Sequence, residues 1–331
     1  MQGFGQIIGH ESIIQHLQNA ITSNKVSHAY ILHGEEGMGK KLLASVFAKT
    51  LQCEEKGIIP CNHCKSCMQA DSSNHPDIIR VTHEKLSIGV DDIRIQVNAD
   101  IHVKPYNSPY KIYIIDDADK LTEQAQNALL KTIEEPPEYA VILLLTSNIG
   151  VLLPTILSRC VLLNLKPVDK QAIREFLMTN YQLPDYKAKV ASAFSGGNVG
   201  KAIKYASSED FDQMKGNILH ILKYIDDMEL YEVISGLKFL TADKNNIDDY
   251  IDLMILWYRD VLMYKATLDP DLLLYREELT FIKKQASIRS YEGIDKIVKA
   301  MEKAKIRLKA NVNFDIAIEL MILTIKESSN G

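Results

Sequence analysis

Cys53, Cys61, Cys64 and Cys67 follow the pattern C-x7-C-x2-C-x2-C. Four thiolates at such spacing can surround one tetrahedral zinc ion and leave no position open for water or substrate, so their expected role is structural. The intervening Glu54-Glu55-Lys56-Gly57 is mostly polar and cannot build a core of its own; a metal would hold it together. His63 or His75 could take the place of one thiolate. Cys160, the fifth cysteine, stands alone, and an odd, sparse set excludes a disulfide framework.

A second group of residues suits phosphate chemistry. Gly34-Glu35-Glu36-Gly37-Met38-Gly39-Lys40-Lys41 has the spacing of a P-loop, Gly, four residues, Gly-Lys. An apolar strand, Ala29 to Leu32, precedes it, and an apolar helix start, Leu42-Leu43-Ala44, follows. In that context glycines let backbone N–H groups curl around a phosphate, Lys40 adds charge and the helix N-terminus adds its dipole. A plain glycine-rich turn is the alternative. The motif departs from its pattern at Lys41, where a Ser or Thr hydroxyl would ligate Mg2+; an ammonium repels the metal. Asp116-Asp117 ends the apolar run Lys111 to Ile115 and has Walker B form. Asp116 suits the metal, but Asp117 is one methylene shorter than the Glu that would orient water, and small displacements from attack geometry are costly. The two carboxylates could also serve simply to cap the following helix. Weak ATP or ADP binding, little Mg2+ and poor or absent hydrolysis are therefore expected.

These residues need a scaffold, and 331 residues suffice for two or three domains. Apolar residues make up 46% and charged residues 24%, which excludes a disordered chain and a membrane protein. A net charge of -5 excludes an indiscriminate polycation that grips nucleic acid. The N-terminus has no basic stretch followed by an apolar one, and no apolar run nears ~18 residues, so a cytoplasmic protein is expected. Apolar runs at Ala29–Leu32, Lys111–Ile115, Val141–Leu145 and Val161–Leu163 alternate with helical patterns, the signature of a parallel sheet covered on both faces. After Lys166-Pro167 the spacing is helical, with a break at Ser195-Gly196-Gly197-Asn198 and a polar linker at Ser207-Ser208-Glu209-Asp210.

With these motifs in order, the chain resembles the clamp-loader branch of the AAA+ ATPases. The resemblance also rests on Ser27-His28-Ala29-Tyr30, Asn74-His75-Pro76-Asp77, Asn127-Ala128-Leu129-Leu130-Lys131 through Glu134-Glu135-Pro136-Pro137, and Ser158-Arg159-Cys160. It covers about the first half of the chain. It implies an α/β P-loop (AAA+) domain over 1–166 with a zinc module at about 53–67, a small helical lid over 167–206 and an all-α collar domain over 207–331.

The resemblance also assigns roles. Arg159 becomes a finger placed into the nucleotide site of a neighbouring subunit, where its guanidinium stabilises charge on the transferring phosphoryl group. Ser147, in Thr146-Ser147-Asn148 at a strand end, becomes the γ-phosphate sensor. Gly200, in Gly197-Asn198-Val199-Gly200, stands where motor members carry a second sensor Arg. The implied function is a fixed arm of a loader that places a sliding clamp on primed DNA. Its partners would be motor subunits of the tau/gamma type and a clamp-opening delta subunit. Two rival readings remain: an ATP-hydrolysing motor subunit, against which Lys41 and Gly200 speak, and a zinc-dependent nucleic-acid-binding module, against which the acidic charge speaks. In the C-terminal third, Leu253, Met254, Leu256, Trp257 and Val261 form an apolar face that suits either a core or a subunit interface. The basic segment Lys283 to Lys309 is interrupted by Glu292, Asp295 and Glu302 and reads as a solvated face, with a surface for acidic partners or nucleic acid as the alternative.

Overall fold

Buried parallel strands show almost continuous apolar runs, because helices cover both of their faces. Such runs form β1 (Ala29–His33), β3 (Lys111–Ile115) and β4 (Ala140–Thr146) in the computed structural model, which describes residues 3–106, 108–236, 246–310 and 312–328. With β2 (Ile78–Arg80) and β5 (Val161–Asn164) they make a five-stranded parallel sheet in the order β2-β3-β4-β1-β5.

Alternation along each strand builds a core on each face. Tyr30, Leu32, Ile112, Ile114 and Leu143 pack with Leu17 of α1 (Glu11–Thr22) and with Leu43 and Phe47 of α2 (Lys40–Gln52). Ala29, Ile31, Tyr113, Ile115 and Ile142 pack on the other face with Ile93 of α4 (Val90–Ile93) and Leu129 and Ile133 of α5 (Glu123–Glu134). Because every strand runs the same way, β1, β3 and β4 deliver Gly34, Asp116 and Ser147 to one edge of the sheet, where ligands of open α/β sheets collect.

Between β1 and β2, α3 (Lys65–Asp71) is tied to α2 by polar contacts rather than by a core. Ser66 Oγ donates to Gln52 O at 2.6 Å, and Lys49 reaches Asp71 at 2.6 Å. His75 is buried, and burial lowers its pKa despite the nearby Asp77. Its Nδ1 accepts from the Asp77 N–H at 3.1 Å, which leaves Nε2–H to donate to Ser66 Oγ at 2.9 Å.

The chain divides into two compact units: Met1–Ile173 with Gly197–Lys201, and Arg174–Gly196 with Ala202–Gly331. The first holds the sheet, together with α6 (Pro154–Leu157) and the starts of α7 (Lys170–Tyr181) and α9 (Val199–Ser207). The second is helical throughout its described residues. It contains α8 (Asp185–Phe194), α10 (Glu209–Tyr224), α11 (Leu230–Gly236), α12 (Ile247–Thr267), α13 (Leu279–Ile288), α14 (Tyr291–Lys309) and α15 (Phe314–Glu327).

On α12, Leu253, Met254, Trp257 and Val261 are buried and Leu256 is half-buried, so the face that suited core or interface is core at four of its five positions. Trp257 Nε1 donates to Gln285 Oε1 at 2.8 Å, and Gln285 Nε2 donates to Leu222 O at 2.7 Å. Buried Arg289 grips Asp226 through both terminal nitrogens, a geometry that offsets the cost of desolvating two charges. The basic segment is partly neutralised along α14, where Lys296 pairs with Glu292 and Lys299 with Asp295; the side chain of Lys309 lies outside the described residues. Among the described residues, no helix is long and apolar enough to cross a membrane.

Candidate functional site

Gly34 leaves β1 with its N–H on Thr146 O at 3.2 Å, and the chain then curls through Gly37 and Gly39, at φ 86° and 92°. These left-handed conformations are open to glycine at little cost. The turn delivers Lys40 to the first position of α2. A cavity of about 580 Å³ opens there, lined by Gly37, Gly39, Lys40, Lys41, Asp116, Asp117 and Ser147 among others. Every phosphate-site residue read from the sequence is therefore brought together except Gly34, which packs behind the loop under Leu165.

The groups around this cavity are already satisfied by one another. Lys40 Nζ turns back to Gly34 O at 2.5 Å and Glu35 O at 2.9 Å. Burial lowers its pKa, while the aspartates opposite raise it. Lys41 pairs directly with Asp116, and that hydrogen bond raises the lysine pKa. The ammonium thus occupies the carboxylate that would hold a metal. Asp117 takes Lys120 at 2.7 Å. Ser147 is held by Asp119, whose Oδ1 accepts the Ser147 N–H at 3.0 Å, the Thr146 hydroxyl at 3.0 Å and the Ser147 hydroxyl at 3.4 Å. Burial pushes the Asp119 pKa up, but these hydrogen bonds outweigh it and hold the carboxylate below its usual range.

The start of α9 closes over the turn. Gly200 N–H donates to Gly37 O at 2.9 Å, and Asn198 Nδ2 donates to Glu36 O at 2.6 Å. A Cβ at position 200 would lie 2.7 Å from Gly37 Cα and 2.8 Å from its carbonyl oxygen, so no side chain fits there. Helix and loop touch backbone to backbone at Gly200, an approach that only a glycine permits.

Arg159 follows α6 and is not on the wall of the phosphate cavity. Its guanidinium is 40% exposed; Nη1 donates to Thr155 O at 3.1 Å and Ser158 Oγ at 3.2 Å, and Nη2 lies 3.0 Å from Glu134 Oε1. Gln126, buried on α5, fixes the chain leading to α6. Its Nε2 donates to Val151 O at 3.1 Å, and its Oε1 accepts the Leu153 N–H at 2.8 Å. Cys160 packs against the core, and burial pushes its thiol up to about 12, which leaves it inert.

The four remaining cysteines converge. Their sulfurs all lie within 4.8 Å of one another, and Cys61 Sγ is 3.9 Å from Cys67 Sγ. A tetrahedral site with Zn–S of about 2.3 Å spaces its sulfurs about 3.8 Å apart. Backbone N–H groups point at sulfur, among them Cys61 to Cys53 at 3.4 Å, Cys64 to Cys61 at 3.3 Å and Cys67 to Cys64 at 3.3 Å. Backbone donors stabilise thiolates, and those of His63 and Cys64 bring Cys61 down to about 6, whereas burial raises Cys53 and Cys67. Donor set and spacing fit one metal ion. His75 is engaged with Ser66, and His63 is largely exposed beside Glu55 at 2.9 Å, so the four thiolates form the tighter set.

Asp119 and Gln126 escaped the sequence reading, while Glu134 and Asn198 stand in stretches it quoted without giving either a role. Their partners lie far along the chain, 162 residues away for Asn198.

A family described as "DNA polymerase III, delta subunit" matches residues 9–169. DNA polymerase III subunit delta' of Bacillus subtilis is 30% identical over 95% of this chain and 95% of its own length. DNA polymerase III subunit tau of the same organism is 30% identical over 99% of this chain, which spans 63% of that longer protein. A solved DNA polymerase III gamma subunit-related protein of Thermotoga maritima aligns with 96% of this chain and 99% of its own at 19% identity and a TM-score of 0.40.

Proposed function

The chain belongs to the DNA polymerase III delta-prime family, and on that premise we propose that it is a clamp-loader stator that exports Arg159 and hydrolyses no ATP itself. One contrast carries this reading: Arg159 is exposed away from the chain's own phosphate cavity, while in that cavity Lys41 pairs with Asp116, Lys40 is hydrogen-bonded to its own loop and Ser147 to Asp119. Lys41 stands in place of the hydroxyl ligand and sets an ammonium against Asp116, the carboxylate that Mg2+ requires, and hydrolysis depends on that metal. Arg159, by contrast, needs only a neighbour's triphosphate; its planar fork can grip two phosphoryl oxygens as charge develops on them.

The likeness to tau supports a second reading, an ATP-hydrolysing motor subunit. Equilibrium binding of Mg-ATP to the isolated chain separates the two. The stator reading expects a Kd weaker than about 1 mM, equivalent to about -4 kcal/mol. Micromolar binding, with turnover that disappears in Lys40→Ala, would establish the motor.

Zinc in the four-thiolate cluster would fix the 53–67 insertion on α2 without entering the chemistry. Partners in this reading are the tau/gamma motor subunits and the clamp-opening delta subunit, in a cytoplasmic hetero-oligomer that acts on the sliding clamp and primed DNA. On α15, Ala317, Ile318, Met321, Ile322 and Ile325 face the core, whereas Ile316, Leu320 and Leu323 form an opposite stripe that is 52%, 44% and 36% exposed. We assign that stripe to contacts with neighbouring collar domains. Leu320→Asp then costs the isolated chain little, since the side chain is already 44% exposed. In the assembly it costs the burial of a leucine, about 1.5–3 kcal/mol, plus desolvation of a charge. Size-exclusion chromatography of the mixed subunits should show the variant eluting apart from the loader.

A further inference from the structure

Both terminal nitrogens of the finger, the pair that would grip a phosphoryl group, are already engaged within its own subunit. Thr155 and Ser158, the partners of Nη1, belong to the same turn as Arg159 and travel with it. The partner of Nη2 differs in two respects. Glu134 is charged, and it is the last residue of a separate helix, α5. Of these three partners, Glu134 alone ties the finger to another element of the fold.

We propose that Glu134 is a positioning residue that parks Arg159 against α5, and that finger engagement is an exchange of this carboxylate for the neighbour's triphosphate. The proposal rests on the reading of Arg159 as an exported finger. The exchange favours the phosphate because a triphosphate offers several charges and acceptor oxygens, whereas Glu134 offers one charge. The parked state is nonetheless releasable: side chains 40% and 45% exposed form a solvent-screened pair of modest strength. Such a pair suppresses engagement by roughly two- to fivefold rather than blocking it. The suppression is felt most where subunits are loosely apposed and least where the assembly is tight.

The test uses the complete reconstituted loader and reads ATP turnover before clamp and primed DNA are added. Glu134→Gln keeps the shape and removes the charge, and should raise this basal rate about two- to fivefold. Glu134→Asp keeps the charge and should stay closer to wild type. In an Arg159→Ala background, Glu134→Gln should have no effect, because there is no finger left to release. A merely structural Glu134 would instead lower the basal rate of the loader that keeps Arg159. A basal rate that is unchanged or lower in Glu134→Gln, while Arg159→Ala still abolishes the neighbour's turnover, overturns the parking role alone. No effect of Arg159→Ala overturns the finger reading and the parking role with it.

Discussion

Arg159→Ala should cut hydrolysis at the nucleotide site that this subunit faces by about a thousandfold, the low end for an arginine finger. The corresponding loss is about 4 kcal/mol of transition-state stabilisation. Almost none of it should appear as lost stability. The side chain is 40% exposed, and its contacts are a solvent-screened ion pair and two hydrogen bonds within its own turn. Arg159→Lys should recover little, because an ammonium keeps the charge but not the planar fork. Single-turnover hydrolysis by the assembled loader, with the thermal midpoint of the isolated variant as control, measures both quantities. Unchanged turnover would reduce Arg159 to a surface charge.

Cys67→Ser should have the largest effect on stability. Cys67 is fully buried, and the apparent binding energy of structural zinc in small domains is about 10–16 kcal/mol. The 53–67 segment has no core that could replace the metal. Its tie to α2 is polar, through Ser66 to Gln52, with Lys49 to Asp71 just beyond the segment. Metal analysis should find about one zinc per wild-type chain and far less in the variant, with new proteolysis near Glu54-Glu55-Lys56-Gly57. Wild-type protein holding no zinc yet resisting protease there would refute a metal-dependent module.

The sequence made the sheet legible where strands are buried on both faces, since β1, β3 and β4 are apolar at nearly every position. It did not reveal β2, Ile78–Arg80, an edge strand of three residues that is too short for any period to show. Helical periodicity identified the apolar face of α12 but could not tell core from interface. That ambiguity is physical, because both surfaces are apolar; the structure resolves it for α12 by burying Trp257 within the chain. In the phosphate site, residue types alone marked Lys41 and Gly200 as departures. The reasons needed three dimensions: Lys41 meets Asp116 across the cavity, and Gly200 meets Gly37 backbone to backbone. Asp119 carries no motif of its own, and the motif that contains Glu134 gives it no role; only their distances to Ser147 and Arg159 mark them.

Catalysis exported to a neighbour, with none at home, is the central claim, and one comparison tests it directly. ATP turnover by the reconstituted loader with clamp and primed DNA is measured in parallel for wild type, Arg159→Ala and Lys40→Ala. The account predicts loss with Arg159→Ala and wild-type turnover with Lys40→Ala, whose ammonium is bound to its own loop at Gly34 O and Glu35 O. Loss with Lys40→Ala and none with Arg159→Ala would contradict it, because the chain would then be hydrolysing its own nucleotide.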